Sequence, residues 1–323
     1  QGIVWRVEDL GSTLTHRFVR VTVVPRLRAL GQRLDSRIFQ DLTAAEIVRD
    51  VLARAGAYEG AEELVVPALA RLPKREYCVQ YRETDLDFVL RLLQEEGVPF
   101  YFKHDGASGE VMVLVDEPAV WGSVPTMDGE AWVTVSDGAM NVLAMESVAW
   151  FDLQREVTGT SVTLRDYDFT RPRAKLDLTT AAPAGEAGPR PAYDYPSRVT
   201  MHSYSDERQA YTRHDGAVQA RIRHELRQVG GVQGRGRGNV TGFLPGAVFE
   251  LAGHMRQELN QAFLVTRVEH RGQAWSDIPD DVRNSEHLMR ELVDAGVEDR
   301  GRHTAAQRYA NRFEVIPATA PFR

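Results

Sequence analysis

The sequence contains a single cysteine, Cys78, among its 323 residues. One thiol excludes a disulfide framework, a four-cysteine zinc site and a Cys-x-x-Cys redox motif. No uninterrupted apolar run reaches the ~18 residues that a membrane-spanning helix needs. Basic residues are outnumbered, with 39 Lys and Arg against 46 Asp and Glu and a formal net charge of -7, whereas a dedicated nucleic-acid-binding domain is usually basic. What remains is a mildly acidic globular protein of ordinary composition.

Signatures of common catalytic sites are also lacking. The phosphate-binding motif G-x-x-x-x-G-K-[ST] and the nucleophile elbow G-x-S-x-G do not occur. The pair His224-Glu225 is not followed by the second histidine of a zinc-binding H-E-x-x-H motif. None of the nine histidines forms a pair at metal-ligand spacing with a carboxylate on the same predicted face. We therefore predict no enzyme, and no catalytic, cofactor-binding or metal-ligating residue.

Two features resemble reactive groups but have simpler interpretations. Glu95 and Glu96 could serve glycoside hydrolysis, which needs two carboxyl groups ~5–10 Å apart across a cleft. Neighbouring helical residues point about 100° apart, so we interpret this pair as a solvated helix end. Cys78 could act as a nucleophile beside a histidine, but a buried cysteine in a strand is usually a small core hydrophobe.

Three further features carry weak functional signals. Residues 234–238 read Gly-Arg-Gly-Arg-Gly, which is similar to an RNA-binding tract or a phosphate-binding loop. No aromatic residue is interleaved, so we predict a flexible connection between a helix and a strand. His254 is predicted to be a turn residue, and His270 a strand-end residue.

Local patterns predict two helices separated by a strand. Thr43 with Glu46 forms a capping box, apolar residues recur at helical spacing after it, and Gly56 marks the end. Thr84 begins the second helix and Gly97 follows it. A hairpin is predicted next, with strands over 98–103 and 110–115.

The rest of the sequence favours strands. Residues 1–40 alternate, with Ile3 and Val7 predicted on one face and Val4 on the other. Short strands are predicted over 131–177, 247–251 and 262–270, which suits a barrel or a sandwich. The remaining predictions are a surface loop at 179–192, a long polar helix at 206–229 and a surface helix at 284–295. The fold class is therefore α+β with β dominant: antiparallel β-barrels with inserted helices and a β-hairpin. Because strand patterns begin and end the sequence, we expect it to be part of a longer protein.

A set of ordered motifs is similar to a known family. Residues 75–88 read REYCVQYRETDLDF, followed by RLLQEEG at 91–97 and FYF at 100–102. Further matches lie at 24–27, 35–40, 166–172, 193–196, 245–251, 263–270 and 309–317. Together they resemble the VgrG proteins, the spike or tip proteins of type VI secretion systems, which are related to the baseplate hub of contractile phage tails. The resemblance covers the whole chain except loops near 107–128, 181–190 and 276–308.

The resemblance implies the hub-like portion of a spike. On this basis residues 1–33 are the remainder of a first β-barrel, and 34–130 an α+β insertion with two helices and a hairpin. Residues 131–275 are a second β-barrel with a long polar helix. Residues 276–323 are a charged helix and loop with a return strand, which in the family leads to an OB-fold and a needle.

The resemblance also implies partners and location. The family forms homotrimers that dock on the Hcp tube hexamer, contact baseplate components, and carry a PAAR-type tip protein and effectors through the part beyond the hub. No cofactor and no nucleic acid is implied. Such proteins assemble in the bacterial cytoplasm and are then secreted by the type VI machine into the medium or a target cell.

The aromatic residues and three other functions remain open. Residues 100–102, with Tyr77 and Tyr81, could anchor an interface, although we favour an intradomain core. A first alternative function is the hub of a phage or phage-derived contractile particle. A second is an enzyme-bearing spike whose catalysis lies outside this segment. A third is a carbohydrate-binding barrel, which would require Trp residues to converge on one face: Trp5, Trp121, Trp132, Trp150 and Trp275.

Overall fold

The structure is a computed structural model that describes residues 1–13, 15–60, 63–65, 72, 74–105, 109–115, 121–130, 132–136, 146–167, 172–173, 176–181, 188–196, 213–272, 280–294 and 309–323. The helices and strands of these residues, in chain order, are β1 Ile3–Ser12, β2 Arg17–Val24, β3 Leu34–Phe39, β4 Leu42–Thr43, α1 Ala44–Arg54, β5 Leu64–Val65, β6 Lys74–Arg75, β7 Cys78–Thr84, α2 Asp85–Glu96, β8 Phe100–Asp105, β9 Gly109–Leu114, β10 Gly122–Ser123, β11 Trp132–Val135, β12 Ser147–Arg155, β13 Ser161–Asp166, β14 Leu176–Ala181, β15 Pro191–Asp194, α3 Arg213–Gln228, β16 Val232–Gly238, β17 Ala247–Ala252, β18 Ala262–Gly272, α4 Asp280–Arg283, α5 Glu286–Asp294 and β19 Tyr309–Pro317.

The chain divides into two compact units, and each is discontinuous in sequence. Unit 1 comprises Gln1–Pro25, Ser123–Asp152 and Arg235–Val315. Unit 2 comprises Arg26–Gly122, Leu153–Gly234 and Ile316–Arg323.

A closed barrel dominates unit 1. Its strand order is β17-β11-β12-β16-β19-β18, and pairing of β18 with β17 closes it. This confirms the predicted β-dominant fold with a barrel. The pairing is mixed rather than wholly antiparallel, because β11 runs parallel to both β12 and β17. Parallel neighbours need a crossover connection instead of a tight turn, which strand patterns alone do not reveal.

Five phenylalanines fill the barrel. The ring centroids of Phe243 and Phe313 lie 4.7 Å apart, and those of Phe151 and Phe263 lie 5.0 Å apart. The ring centroid of Phe249 lies 4.8 Å from that of Phe243. All five side chains are buried, and buried aromatic pairs at such distances stabilise a core beyond the area they bury.

The predicted flexible connection at 234–238 is wrong, because these residues are a barrel strand, β16. Gly234 and Gly236 are buried, whereas Arg235 and Arg237 are exposed. Alternate residues of a strand point to opposite faces, so the glycines face inward and the arginines outward. The glycines provide space rather than flexibility: a Cβ on Gly236 would lie 2.1 Å from Cζ of Phe313.

The β1–β2 hairpin corrects another prediction. Val4 pairs with Val23 and Val7 with Val21, with a register shift between Val4 and Arg6. The shift inserts one extra residue, so Val4 and Val7 share a face, and the prediction that they point to opposite faces is wrong. Ile3, paired with Val24, lies on the other face.

Helices α4 and α5 cover the face of this hairpin that carries Phe18. Phe18 packs with Val282 and Leu288, and all three are buried. The predicted helix at 284–295 is therefore confirmed over α5, although one side of it is buried. Residues 276–279 and 295–308 lie outside the described residues.

Unit 2 is built on the two predicted helices. Thr43 and Glu46 form the capping box of α1, and Gly97 ends α2 with φ of 64°. The apolar faces of α1 and α2 share one core, which includes Val48 and Leu92. The hairpin of β8 and β9 is also confirmed, and β5 adds to it in parallel.

A second layer of unit 2 packs α3 on a three-stranded sheet of order β14-β13-β15. Ala220 of α3 is buried against Val162 and Leu164 of β13. The predicted long helix is confirmed over 213–228, and its proposed start at 206–212 lies outside the described residues. The predicted loop at 179–192 is partly wrong, because β14 extends to residue 181 and β15 begins at residue 191; residues 182–187 are not described.

Candidate functional site

The adjacent carboxylates on α2 form a buried ion network rather than a solvated helix end. Arg75 donates from Nη1 to Glu95 at 2.6 Å and from Nη2 to Glu96 at 2.5 Å. Glu96 is 4% exposed, and Arg91 donates to the second oxygen of Glu95 at 3.2 Å. The predicted solvation is therefore wrong, because Arg75, about twenty residues earlier, pairs with both groups and Arg91 adds a second positive charge beside Glu95.

This network keeps Glu95 and Arg75 charged. Burial acts to raise the pKa of Glu95, but hydrogen bonds and charge from Arg75 and Arg91 outweigh it and hold that pKa below its ordinary value. Burial likewise acts to lower the pKa of Arg75, but Glu96 and Glu95 outweigh it and raise that pKa. Glycoside hydrolysis needs one carboxyl group with a raised pKa as an acid. Glu95 is therefore unsuited to act as that acid.

A second buried carboxylate was not predicted. Asp85, the first residue of α2, is 1% exposed; it accepts from Arg33 Nε and Gln80 Nε2 at 2.8 Å each and also bonds Arg37. Burial acts to raise its pKa, but the hydrogen bonds from Gln80 and Arg33 and the charge of Arg37 lower it overall. The sequence feature that could have revealed this site is Gln80, a polar residue at an inward-facing position of β7.

The thiol and the two histidines considered above lie in structural rather than reactive environments. Cys78 is buried, and burial raises the pKa of its thiol, which disfavours the reactive thiolate. His254 lies in the turn after β17, where its Nδ1 accepts from Arg256 N at 3.0 Å. His270 lies near the end of β18 and bonds the hydroxyl of Tyr309. The predicted turn and strand-end positions are confirmed.

The aromatic residues divide into core and surface groups. Phe100 and Phe102 pack against the helical core, and Tyr101 contacts Trp121 with ring centroids 5.8 Å apart, which confirms the intradomain core. Tyr77 and Tyr81 are instead 57% and 66% exposed.

The tryptophans lie in different parts of the fold. Trp121 belongs to an apolar cluster in unit 2, whereas Trp5, Trp132 and Trp150 belong to unit 1. Trp275 lies outside the described residues. The packing of Trp121 against Tyr101 in that cluster is typical of a core residue rather than of a sugar-binding surface.

Two exposed apolar sheet faces remain as candidate contact surfaces. The valine face, on the β1–β2 hairpin of unit 1, consists of Val4, Val7, Val19, Val21 and Val23, each exposed by 49% or more. Clusters of exposed apolar residues mark protein contact sites more often than isolated ones do.

The tyrosine face, on the β3–β7 pair of unit 2, consists of Ile38 and Tyr81, with Tyr77 just before β7. Ile38 pairs with Val79 and is 58% exposed. The opposite face of these two strands carries Phe39 and Cys78, which are buried. Within the described residues, this sheet therefore presents apolar groups on both sides, and the side of Phe39 and Cys78 alone is covered.

The described part of the chain has neither a gathered set of metal ligands nor a membrane-spanning helix. No three His, Cys, Asp or Glu side chains there gather closely enough to hold a metal ion. Among the same residues, no helix is both long and apolar enough to cross a membrane.

Comparison with known proteins assigns the family. The model of the phage tail baseplate hub (GPD) family matches residues 1–275. The type VI secretion system spike proteins VgrG4b and VgrG5 of Pseudomonas aeruginosa are each 32% identical over 98% of the chain, which covers 35% and 36% of those proteins. The chain thus spans about a third of the length of these relatives.

Solved structures agree on the fold. The Escherichia coli c3393 protein, described as a component of the type VI secretion system, matches with a TM-score of 0.61 and 19% identity over 98% of this chain and 60% of that one. The match of the family model and the 32% identity to the spike proteins show that the chain belongs to the phage tail baseplate hub (GPD) family and is similar to the hub-like portion of VgrG spike proteins.

Proposed function

We propose that this chain is the hub portion of a type VI secretion spike, a structural component that docks on the secretion tube and helps deliver effectors. The observation that carries the proposal is the 32% identity to a spike protein over 98% of the chain. The charged networks of unit 2 support it, because Glu95 and Asp85 are paired with arginines that lower their pKa values, as suits a structural role.

The proposed assembly is a homotrimer that contacts the Hcp tube hexamer and baseplate components. A PAAR-type tip protein and the effectors would attach through parts of the whole protein beyond this segment. Support comes from the exposed tyrosine face, since a ring of protomers covers sheet faces and edges that would otherwise promote aggregation. The protein would assemble in the cytoplasm and leave the cell through the type VI machine.

The sequence-based domain boundaries form part of this proposal. Residues 1–33 would belong to a first barrel, 34–130 to an α+β insertion, 131–275 to the second barrel, and 276–323 to the segment that leads onward. The valine face supports the first assignment, because a barrel interior needs an apolar face of this kind. Its outward exposure in the chain as described calls for a covering element.

The test is the mass of the full-length protein in solution, measured by light scattering at two salt concentrations beside a chain of residues 1–323. A salt-resistant trimer of the full-length protein supports the proposal, and a trimer of the shorter chain assigns the contacts to the hub. A strict monomer of the full-length protein would count against a spike.

A second candidate is the hub of a phage-derived contractile particle. This candidate is supported by the structural match to a tail protein from Neisseria meningitidis, which has a TM-score of 0.58 and covers 97% of this chain. Deleting the gene separates the two: loss of Hcp from the culture medium indicates a secretion system, whereas loss of sedimentable tailed particles indicates a phage-derived machine.

A further inference from the structure

The outer surface of the barrel carries arginines on adjacent strands. Phe313 of β19 is buried in the barrel, and successive strand residues point to opposite faces, so the exposed Arg312 points outward. Gly236 of β16 lies against the Phe313 ring. The exposed residues on either side of this glycine, Arg235 and Arg237, therefore lie on the same outer side as Arg312.

Strand β18 pairs with the other side of β19 and adds two arginines to this surface. Arg267 Nη1 lies 3.9 Å from Oε1 of Glu314 on β19. Arg271 Nη2 lies 2.7 Å from Oε1 of Glu269. We call this surface the arginine face; its members, all exposed, are Arg235, Arg237, Arg267, Arg271 and Arg312.

Three members of the arginine face are unpaired. Within the described residues, the side chains of Arg235, Arg237 and Arg312 form no hydrogen bond or ion pair. Hydrogen bonding from Arg271 and, less strongly, the charge of Arg312 hold the pKa of Glu269 below its ordinary value. Glu269 is thus already shared between cations and does not neutralise Arg312.

The neighbouring barrel strands do not supply the missing negative charge. In the part of β12 that belongs to unit 1, Asp152 is the one acidic residue. Glu250 of β17 pairs with Ala262, which is about 16 Å along β18 from Arg267 at ~3.3 Å per residue. The barrel strands therefore leave at least two arginine charges uncompensated here, although the net charge of the chain is -7.

This arrangement suits carboxylate groups. Neighbouring strands lie ~4.8 Å apart and alternate residues of one strand ~6.6 Å apart, so Arg235, Arg237 and Arg312 form a compact group. Like charges that are neighbours on a sheet repel one another. A guanidinium binds a carboxylate through paired hydrogen bonds. Carboxylates placed over this group would therefore bind and also remove the repulsion.

Two observations favour a protein over a nucleic acid as the source of these carboxylates or other anions. Glu269 and Glu314 lie among the arginines and would repel a continuous row of phosphates. The negative net charge of the chain also opposes the approach of a polyanion. A protein surface instead carries separate carboxylates and can place neutral or basic groups opposite the two glutamates.

We propose that the arginine face binds an acidic segment of a partner protein, whose carboxylates lie over Arg235, Arg237 and Arg312. Charge complementarity of this kind steers association and selects the partner. Because the contacts are exposed, salt should weaken them. This inference does not depend on the proposed secretion role.

The test measures fluorescence anisotropy of fluorescein-labelled acetyl-Glu-Ala-Glu-Ala-Glu-Ala-Glu-amide with the full-length protein. We expect saturable binding at about 0.01 M salt, weaker binding at about 0.15 M salt, and no binding of the peptide with Gln in place of Glu. The double variant Arg237→Glu with Arg312→Glu should bind about tenfold more weakly, because each reversal removes one attraction and adds one repulsion.

A matched double variant is the control. Arg6→Glu with Arg290→Glu makes the same charge change at two exposed positions of unit 1 outside the barrel sheet. It should retain the binding of the unmodified protein. Thermal melting checks that both double variants fold.

Chemical modification locates the contact. Phenylglyoxal reacts with accessible guanidinium groups, and mass spectrometry of the digested protein identifies the modified arginines. Bound glutamate peptide should protect Arg235, Arg237 and Arg312 from modification and leave Arg6 and Arg290 reactive.

Several results would overturn the proposal. They are no saturable binding of the glutamate peptide, equal binding by the two double variants, or equal protection of arginines inside and outside the face. Tighter binding of a labelled oligothymidine that the Arg237→Glu, Arg312→Glu variant loses would assign the face to a nucleic acid. A lower oligomeric mass of this variant than of the control in light scattering would assign the face to a contact between copies of this chain.

Discussion

Gly236 lies against the ring of Phe313, so closely that a Cβ on the glycine would be 2.1 Å from Cζ of the phenylalanine. Both residues belong to neighbouring strands of the barrel, β16 and β19. A side chain at position 236 would have to displace a buried ring that also contacts Phe243 and Phe249. Gly236 is therefore a packing requirement of the barrel.

Gly236→Ala is expected to destabilise the protein by about 1–3 kcal/mol, the usual cost of overpacking a core. Gly230→Ala is the matched control, because no atom lies within 4 Å of a Cβ at that position. Urea unfolding followed by circular dichroism measures both. Equal stability of the two variants would contradict the packing role.

Removing Arg75 should be more damaging than removing any exposed arginine. Arg75→Met leaves Glu95 and Glu96 without their shared cation in a buried site, a change that typically costs about 3–5 kcal/mol. Arg271→Ala breaks an exposed pair with Glu269 of comparable length, 2.7 Å, and should cost less than about 1 kcal/mol. Denaturant midpoints of the two variants give the comparison; a small effect of Arg75→Met would mean that water reaches the network.

Stability should fall as the solution becomes acidic. The folded protein holds the pKa values of Glu95 and Asp85 below their ordinary values, so the unfolded chain binds protons first as the pH falls. This contribution is fully present above the unfolded values of ~3.9–4.3 and is lost as the pH falls through the lower folded values.

The variant Glu95→Gln should therefore show a shallower loss of stability below about pH 4.3. Glu286→Gln removes a carboxylate whose side chain is 91% exposed and should follow the wild-type slope. Urea midpoints measured at several pH values separate them. Parallel slopes for all three proteins would show that Glu95 does not contribute.

The valine face should be covered in the full-length protein. Val21→Glu places a charge on this face, whereas Thr22→Glu places the same charge on the next residue, which points to the other face. Both positions are exposed in the chain as described. We expect Val21→Glu to destabilise the full-length protein or its trimer by more than about 1 kcal/mol and Thr22→Glu by about 0.5 kcal/mol or less.

Thermal melting and light scattering of the full-length variants measure this difference. Indistinguishable behaviour of Val21→Glu and Thr22→Glu would show that the valine face stays in water. The proposed first barrel would then lose its main physical support, while the family assignment, which comes from sequence identity, would stand.

Sequence patterns predicted the elements whose signals are local. Helix α1 begins at the capping box of Thr43 with Glu46, and α2 ends at Gly97, because caps depend on residues within one turn of each other. The β8–β9 hairpin was predicted for the same reason. The ordered motifs also identified the family, because they are distributed along most of the chain.

Other features depend on partners distant in sequence. The glycines of β16 resemble a flexible tract until Phe313 is placed beside them. Glu95 and Glu96 resemble a solvated helix end until Arg75 is brought across from β6. The Gly-Arg repeat and the glutamate pair therefore each allowed two interpretations from sequence. The contacts with Phe313 and Arg75 decide which one holds.

From its amino-acid order alone, this chain specifies the caps of helices α1 and α2, the β-dominant fold class and its membership of the hub family. Tertiary structure alone settles which groups are buried together: the mixed pairing of the barrel, the neutralisation of Asp85, and the bulge near Trp5 that gathers five valines on one face. The reason is physical, because caps and periodicity act over a few residues, whereas burial and charge compensation depend on side chains that meet only after the chain has folded.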